Sequence, residues 1–186
     1  MIFMKPLIIL SILLIVFASA CVQQTPITEI TIPGHPVYTF SNDVRESLQV
    51  KADNSDGIRK LISSTRHLTV VFDGSDAKDN GSFGVVAFNI ITKLQTYFVY
   101  EGQILAVDSY YYIGEQWFGT VNNTNTQVER PGLTDPVIWL KGPSTGANET
   151  SVLLDGNIIF VQGLTHKDLT LAGDRLTLIV LGIERV

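Results

Sequence analysis

From Val37 onward the apolar residues fall into two kinds of pattern. Short unbroken runs, Leu68 to Phe72, Ile104 to Val107 and Val137 to Leu140, are too short for helices and read as buried strands. Apolar residues spaced three and four apart predict helices. The strongest such stripe is Phe83, Val86, Ala87, Ile90, Ile91, Leu94, Tyr97 and Phe98, with Asn89, Thr92, Lys93, Gln95 and Thr96 on the other face and Gly102 as the stop. Asp43-Val44-Arg45-Glu46 has the form of a helix start and predicts a short helix over Asp43 to Gln49. A second short helix over Asp56 to Ser63 would place Ile58, Leu61 and Ile62 on one face. Ser151 to Leu154 and Ile158 to Val161 flank Asp155-Gly156-Asn157, a hairpin signal because Asp and Gly tolerate the positive φ of tight turns. Thr165 to Asp168 is a capping box opening a last helix that runs to Gly182 and shows Leu169, Ala172, Leu176, Ile179 and Val180 on one face. The polar stretches Asp73 to Ser82 and Asn122 to Thr134 read as loops. Together these elements predict an α/β fold: a mixed sheet of about five strands with a C-terminal hairpin and helices packed against it, in one domain over 37–186.

The N-terminus has a different pattern. Lys5 precedes an apolar run from Leu7 to Phe17, and Ala18 and Ala20 are the small residues that signal cleavage needs at alternate positions. The run is shorter than the roughly 20 residues that span a bilayer core, so residues 1–20 read as a signal peptide. Cys21, the sole cysteine, follows at once. Ala18-Ser19-Ala20-Cys21 resembles the lipobox of prokaryotic lipoproteins, which implies cleavage before Cys21 and a lipid on its thiol. The alternatives are an uncleaved signal anchor and ordinary secretion; all three place the remainder outside the cytoplasm. Residues 21–36, with Pro26, Pro33, Gly34 and Pro36, show little amphipathic pattern and read as a tether.

Composition narrows the function classes. One cysteine excludes an intrachain disulfide framework and a multi-cysteine zinc site. Without residues 1–20 the chain carries 12 basic against 18 acidic residues, which argues against nucleic acid as a partner. The sequons at Asn80, Asn122 and Asn148 make glycosylation available to an exported chain.

Several constellations bear on chemistry. Asp73, Asp108 and Lys141 each end a predicted strand, and open α/β sheets bind ligands beyond the carboxyl ends of their parallel strands. Two converging carboxylates there would hold a divalent cation, and Lys141 would meet an anionic group; the plainer reading is that charges end strands where the chain leaves the core. Gly142-Pro143-Ser144-Thr145-Gly146 spells the G-x-S-x-G of a nucleophile elbow, and Asp155 and His166 follow in α/β-hydrolase order. That reading lacks a helix directly after Ser144, and the loop reads better as glycine-rich backbone able to hold an anion. The oxygen-rich segment Asp73 to Asn80 fails the EF-hand pattern at Ala77 and Gly84, and His35, His67 and His166 lack metal-ligand spacing. Tyr110-Tyr111-Tyr112 with Trp117 and Phe118 forms an aromatic cluster suited either to a sugar- or partner-binding surface or to packing.

With the lipobox, Tyr38 to Glu46 and Leu140 to Asn148 in view, the chain resembles archaeal lipoproteins of unknown function over most of residues 37–182. The resemblance implies an archaeal cell-surface location and supplies no catalytic residues. Strand-then-Gly-Pro loops give a fainter likeness to domains of archaeal surface-layer proteins. The expectation is therefore a lipid-anchored, non-catalytic interaction or structural module on the outer face of the cell membrane, with a cell-surface protein as partner. The alternatives are a small-ligand or divalent-metal-binding protein using Asp73, Asp108, Lys141 and Ser144, and a serine hydrolase using Ser144. No cofactor is indicated.

Overall fold

The computed structural model describes residues 25–74, 77–121 and 124–186, without the side chains of 77–82, 120, 121 and 124. Cys21, Asn122 and the side chain of Asn80 therefore lie outside the described residues, as does the predicted signal segment.

The fold is α/β, with helices packed on a mixed sheet, and the expected C-terminal hairpin is present. The strands are β1 Glu29–Thr31, β2 Val37–Thr39, β3 Lys51–Ala52, β4 His67–Asp73, β5 Ala106–Ile113, β6 Gln116–Val121, β7 Thr124–Val128, β8 Val137–Lys141, β9 Ser151–Asp155 and β10 Ile158–Gln162. The helices are α1 Val44–Gln49, α2 Ser55–Ser63, α3 Ala77–Tyr100 and α4 His166–Leu181. The main sheet has eight strands in the order β3-β9-β10-β8-β4-β5-β6-β7. At its centre β8, β4 and β5 run parallel, with α3 making the crossover from β4 to β5. A buried parallel centre explains why β4 reads as a continuous apolar run, with Leu68 to Phe72 all buried. The β5-β6-β7 meander and the β9-β10 hairpin are antiparallel.

The helices bury one face of this sheet. Leu68, Val70 and Phe72 of β4, Ile138 and Leu140 of β8, and Ile159 and Val161 of β10 join Phe83, Ile90, Leu94 and Phe98 of α3 and Leu169, Leu176 and Ile179 of α4 in one core. The α4 cap is the predicted one: Thr165 Oγ1 accepts from the Asp168 backbone N–H at 3.1 Å and donates to its carboxylate at 2.8 Å. Gly182, at φ 76°, ends the helix in the left-handed conformation that glycine adopts without cost.

Three expectations need correcting. The tether does not reach Val37: β1 pairs with β2, and Ile27, Ile30 and Ile32 pack against a second core of Tyr38, Phe40, Val44, Leu178 and Leu181. The supposed loop Asp73 to Ser82 contains the start of α3, whose first six residues carry no apolar stripe to announce it. The supposed loop Asn122 to Thr134 contains β7, an edge strand rich in Thr, Asn and Gln. Polar side chains on an edge discourage pairing with other chains and also erase the hydrophobic signal of a strand.

Candidate functional site

Helices cover only one face of the sheet. On the other, alternation along each strand sets out a different set of residues. Register aligns Leu153, Phe160, Trp139, Val71, Tyr110 and Gly119 in one row across β9, β10, β8, β4, β5 and β6. The next row contains Asp73, Tyr112, Trp117 and Val128. Lys141 joins it on β8, one residue beyond the Phe72–Leu140 pair.

Four rings from these rows form a continuous line. Phe160 and Trp139 lie 6.4 Å apart between centroids, Trp139 meets Tyr112 edge-on at 6.0 Å, and Tyr112 tilts on Trp117 at 5.2 Å. Such spacings and tilts suit the ring quadrupoles. A cation sits at each end: Lys141 Nζ is 4.2 Å from the Phe160 centroid, and the Arg130 guanidinium is 5.8 Å from that of Trp117. The Tyr112 hydroxyl lies near the Trp139 indole and the Asp73 carboxylate. Burial, then the Asp73 charge, raises the Tyr112 phenol above its usual range. Tyr112, Trp117, Trp139, Arg130 and the Gly114-Glu115 turn enclose an open depression of about 530 Å³.

At the other end of the face, His67 stands between two carboxylates. Its Nδ1 is 2.8 Å from Asp135 and its Nε2 3.1 Å from Asp108. The Asp135 hydrogen bond raises the imidazole above its ordinary value; burial opposes it, and the Asp108 charge and hydrogen bond add to the rise. Asp135 belongs to the segment 129–136, which folds over this end of the sheet. Leu133 packs on the cluster of Val71, Trp117 and Val137, and the Asn157 amide donates to the carbonyls of Leu133 and Asp135 at 3.0 and 2.9 Å.

The predicted strand-end site is divided by this geometry. Asp73 and Lys141 share one end of the sheet, but Asp108 lies near the start of β5, opposite Thr69. Four residues of β4 separate it from the level of Asp73, roughly 13 Å, so the two carboxylates do not share a cation. The cause is a later strand start: Ile104 is exposed, and pairing begins at Ala106 and runs to Ile113. Among the described residues no group of three or more His, Cys, Asp or Glu side chains is placed to hold a metal ion. Ser144 lies in a short 3₁₀ turn, Pro143–Thr145, after β8, whereas Asp155 begins the hairpin turn level with the opposite end of β8. The hydrolase triad is therefore not assembled. Asn148 is exposed in the loop before β9.

Alternation also divides the Tyr110 to Phe118 cluster. Tyr111 stacks with Phe72 and Phe118 on the helix side, while Tyr110, Tyr112 and Trp117 face the other way. Trp139, Phe160 and Arg130 did not stand out in the sequence. For Trp139 and Phe160 the signal was parity: in Val137–Lys141 and Ile158–Gln162, one alternate set is aliphatic and the other contains the aromatic and polar residues.

No described helix is long and apolar enough to cross a membrane. No protein-family profile, curated protein or solved structure matches the chain.

Proposed function

We propose that this protein is an exported, lipid-anchored, non-catalytic binding module that works at the cell surface through the helix-free face of its sheet. The observation that carries the reading is the aromatic line Phe160–Trp139–Tyr112, half-buried with no helix over it and backed by the buried Trp117, in an otherwise well-packed α/β domain. An apolar sheet face is ordinarily covered by a second layer, and one rimmed with charge suits a partner that comes and goes. Attachment rests on the sequence: the apolar run before Cys21 and the short segment between Cys21 and Ile27 would hold the domain against the membrane. The archaeal lipoprotein resemblance supports the same location.

The test is proximity cross-linking with mass spectrometry on intact cells, comparing the wild type with Trp139→Ala/Phe160→Ala. The expected result is a reproducible set of neighbours that the double variant loses while it remains in the membrane fraction. An unchanged set in the folded variant would refute the face as the binding surface. A Cys21→Ala chain that stays in the membrane fraction would refute the lipid anchor.

A further inference from the structure

The depression beside Trp139 has a floor, a rim and a shape that together specify a ligand chemistry. We infer that it is a carbohydrate-binding site, with a sugar ring stacked on Trp139 beside Tyr112 and its hydroxyls held by Arg130 and Glu115. This rests on the helix-free face being the binding surface and names what that surface takes.

The floor consists of Tyr112, Trp117 and Trp139. An aromatic face carries negative quadrupole density, which attracts the weakly positive C–H groups on one side of a pyranose ring. The floor is set in place before any ligand arrives. The rings pack on one another through the Tyr112–Trp117 and Tyr112–Trp139 contacts, and Arg130 over Trp117 closes one side. Little side-chain freedom is then lost on binding, which is what shallow sites need to reach useful affinity.

The rim carries charges of both signs. Arg130 offers N–H donors in a planar fork and Glu115 offers two acceptor oxygens, both at exposed positions. A ligand that both donates and accepts at many neutral hydroxyls satisfies such a pair; an anion would oppose Glu115, and a cation Arg130. The acidic balance of the chain also disfavours polyanions. Glu115 reaches the rim because β5 and β6 are joined by the two-residue turn Gly114-Glu115, with Gly114 at φ 59°. That positive φ favours glycine, and no side chain projects from Gly114 into the opening. Beside Trp139, Lys141 Nζ over the Phe160 ring adds a hydrogen-bond donor next to the platform.

The chain's two tryptophans, Trp117 and Trp139, both line the depression, so indole fluorescence reports on this site. The experiment titrates the full chain in detergent with chitohexaose, cellohexaose, maltohexaose and mannohexaose in turn. At least one should give a saturable change with a Kd on the order of millimolar to micromolar. Trp139→Ala, read through Trp117, should weaken that sugar about tenfold or more, and Trp139→Phe should keep most of the binding. Retention of near-ultraviolet circular dichroism and of the melting transition would show that the variants fold. No saturable change with any of the four sugars would overturn the carbohydrate assignment. Cellular neighbours that still depend on Trp139 and Phe160 would then keep the face as a binding surface for another partner, and their absence would remove both readings. Saturable binding unaffected by Trp139→Ala would place the sugar elsewhere and overturn this site.

Discussion

Leu140 and Trp139 are adjacent in β8 and live in different surroundings. Leu140 is fully buried in the core beneath the helices, among Ile90, Leu94 and Leu176. Trp139 is only half-buried, held by Tyr112 and Phe160 with no helix above it. One strand thus supplies the stability of the domain on one parity and its recognition surface on the other. Period-two alternation lets both exist in five residues, because a change on one face leaves the other face's packing largely intact.

Paired substitutions test that division most strongly. Leu140→Ala should lose about 2–5 kcal/mol in urea unfolding, from the transfer term together with the cavity left in a rigid core. Trp139→Ala should lose less, about 1–2 kcal/mol, because its ring is already in partial contact with water. The ligand response should show the reverse order, being lost with Trp139 and kept in whatever fraction of Leu140→Ala remains folded. Equal destabilisation by the two changes would mean that the second face is also core.

A smaller effect is expected where the second face is close-packed. The Tyr110 ring lies directly across Gly119, and a Cβ there would come within 2.9 Å of it. Gly119→Val should therefore cost about 1–3 kcal/mol by overpacking, detected as a lower melting temperature. Removing the ring in Tyr110→Ala should relieve much of that cost, and a double-mutant cycle would measure the coupling.

The smallest effect concerns segment 129–136 and pH. The His67 imidazole is held above its usual pKa by Asp135 and Asp108, so its protonated form is favoured by the fold. A raised folded pKa gives stability that is complete below the unfolded value of about 6.5 and is lost as pH rises through the folded value. In that alkaline direction one of the two His67–carboxylate hydrogen bonds loses its donor. His67 and both carboxylates are substantially exposed, so the contribution should be only about 0–1 kcal/mol. Amide hydrogen exchange in 129–136 should quicken from mildly acidic to mildly alkaline pH beyond its intrinsic pH dependence. His67→Gln should flatten that excess.

What the sequence revealed followed the strength of each local signal. α4 was legible from end to end, because Thr165 and Asp168 cap it, Gly182 stops it and its apolar face is unbroken. The β9–β10 hairpin announced itself through Asp155-Gly156-Asn157. β7 was hidden because an edge strand of Thr, Asn and Gln has no apolar face to show, and β6 because Trp117 and Phe118 were read only as members of an aromatic cluster. Asp108 was misplaced because Ile104 and Leu105 resemble the start of a strand but belong to the exit from α3, where the Gln103 N–H bonds back to Phe98. The aromatic line was only half visible. Tyr110, Tyr111, Tyr112, Trp117 and Phe118 drew attention as a cluster, but adjacency in sequence concealed their division between faces. Trp139 and Phe160 reach the same surface through strand order, which composition does not encode.

The central claim is that recognition uses the helix-free face and not the outer surface of the helices. α3 supplies the control, since Phe88 is 67 % exposed on its outer side. A photo-reactive phenylalanine analogue placed at Phe160 in one strain and at Phe88 in another, with ultraviolet illumination of intact cells, compares the two surfaces directly. A strong adduct from position 160 and little or none from position 88 is the predicted result. An adduct from position 88 alone, or equal capture at both positions, would contradict the account.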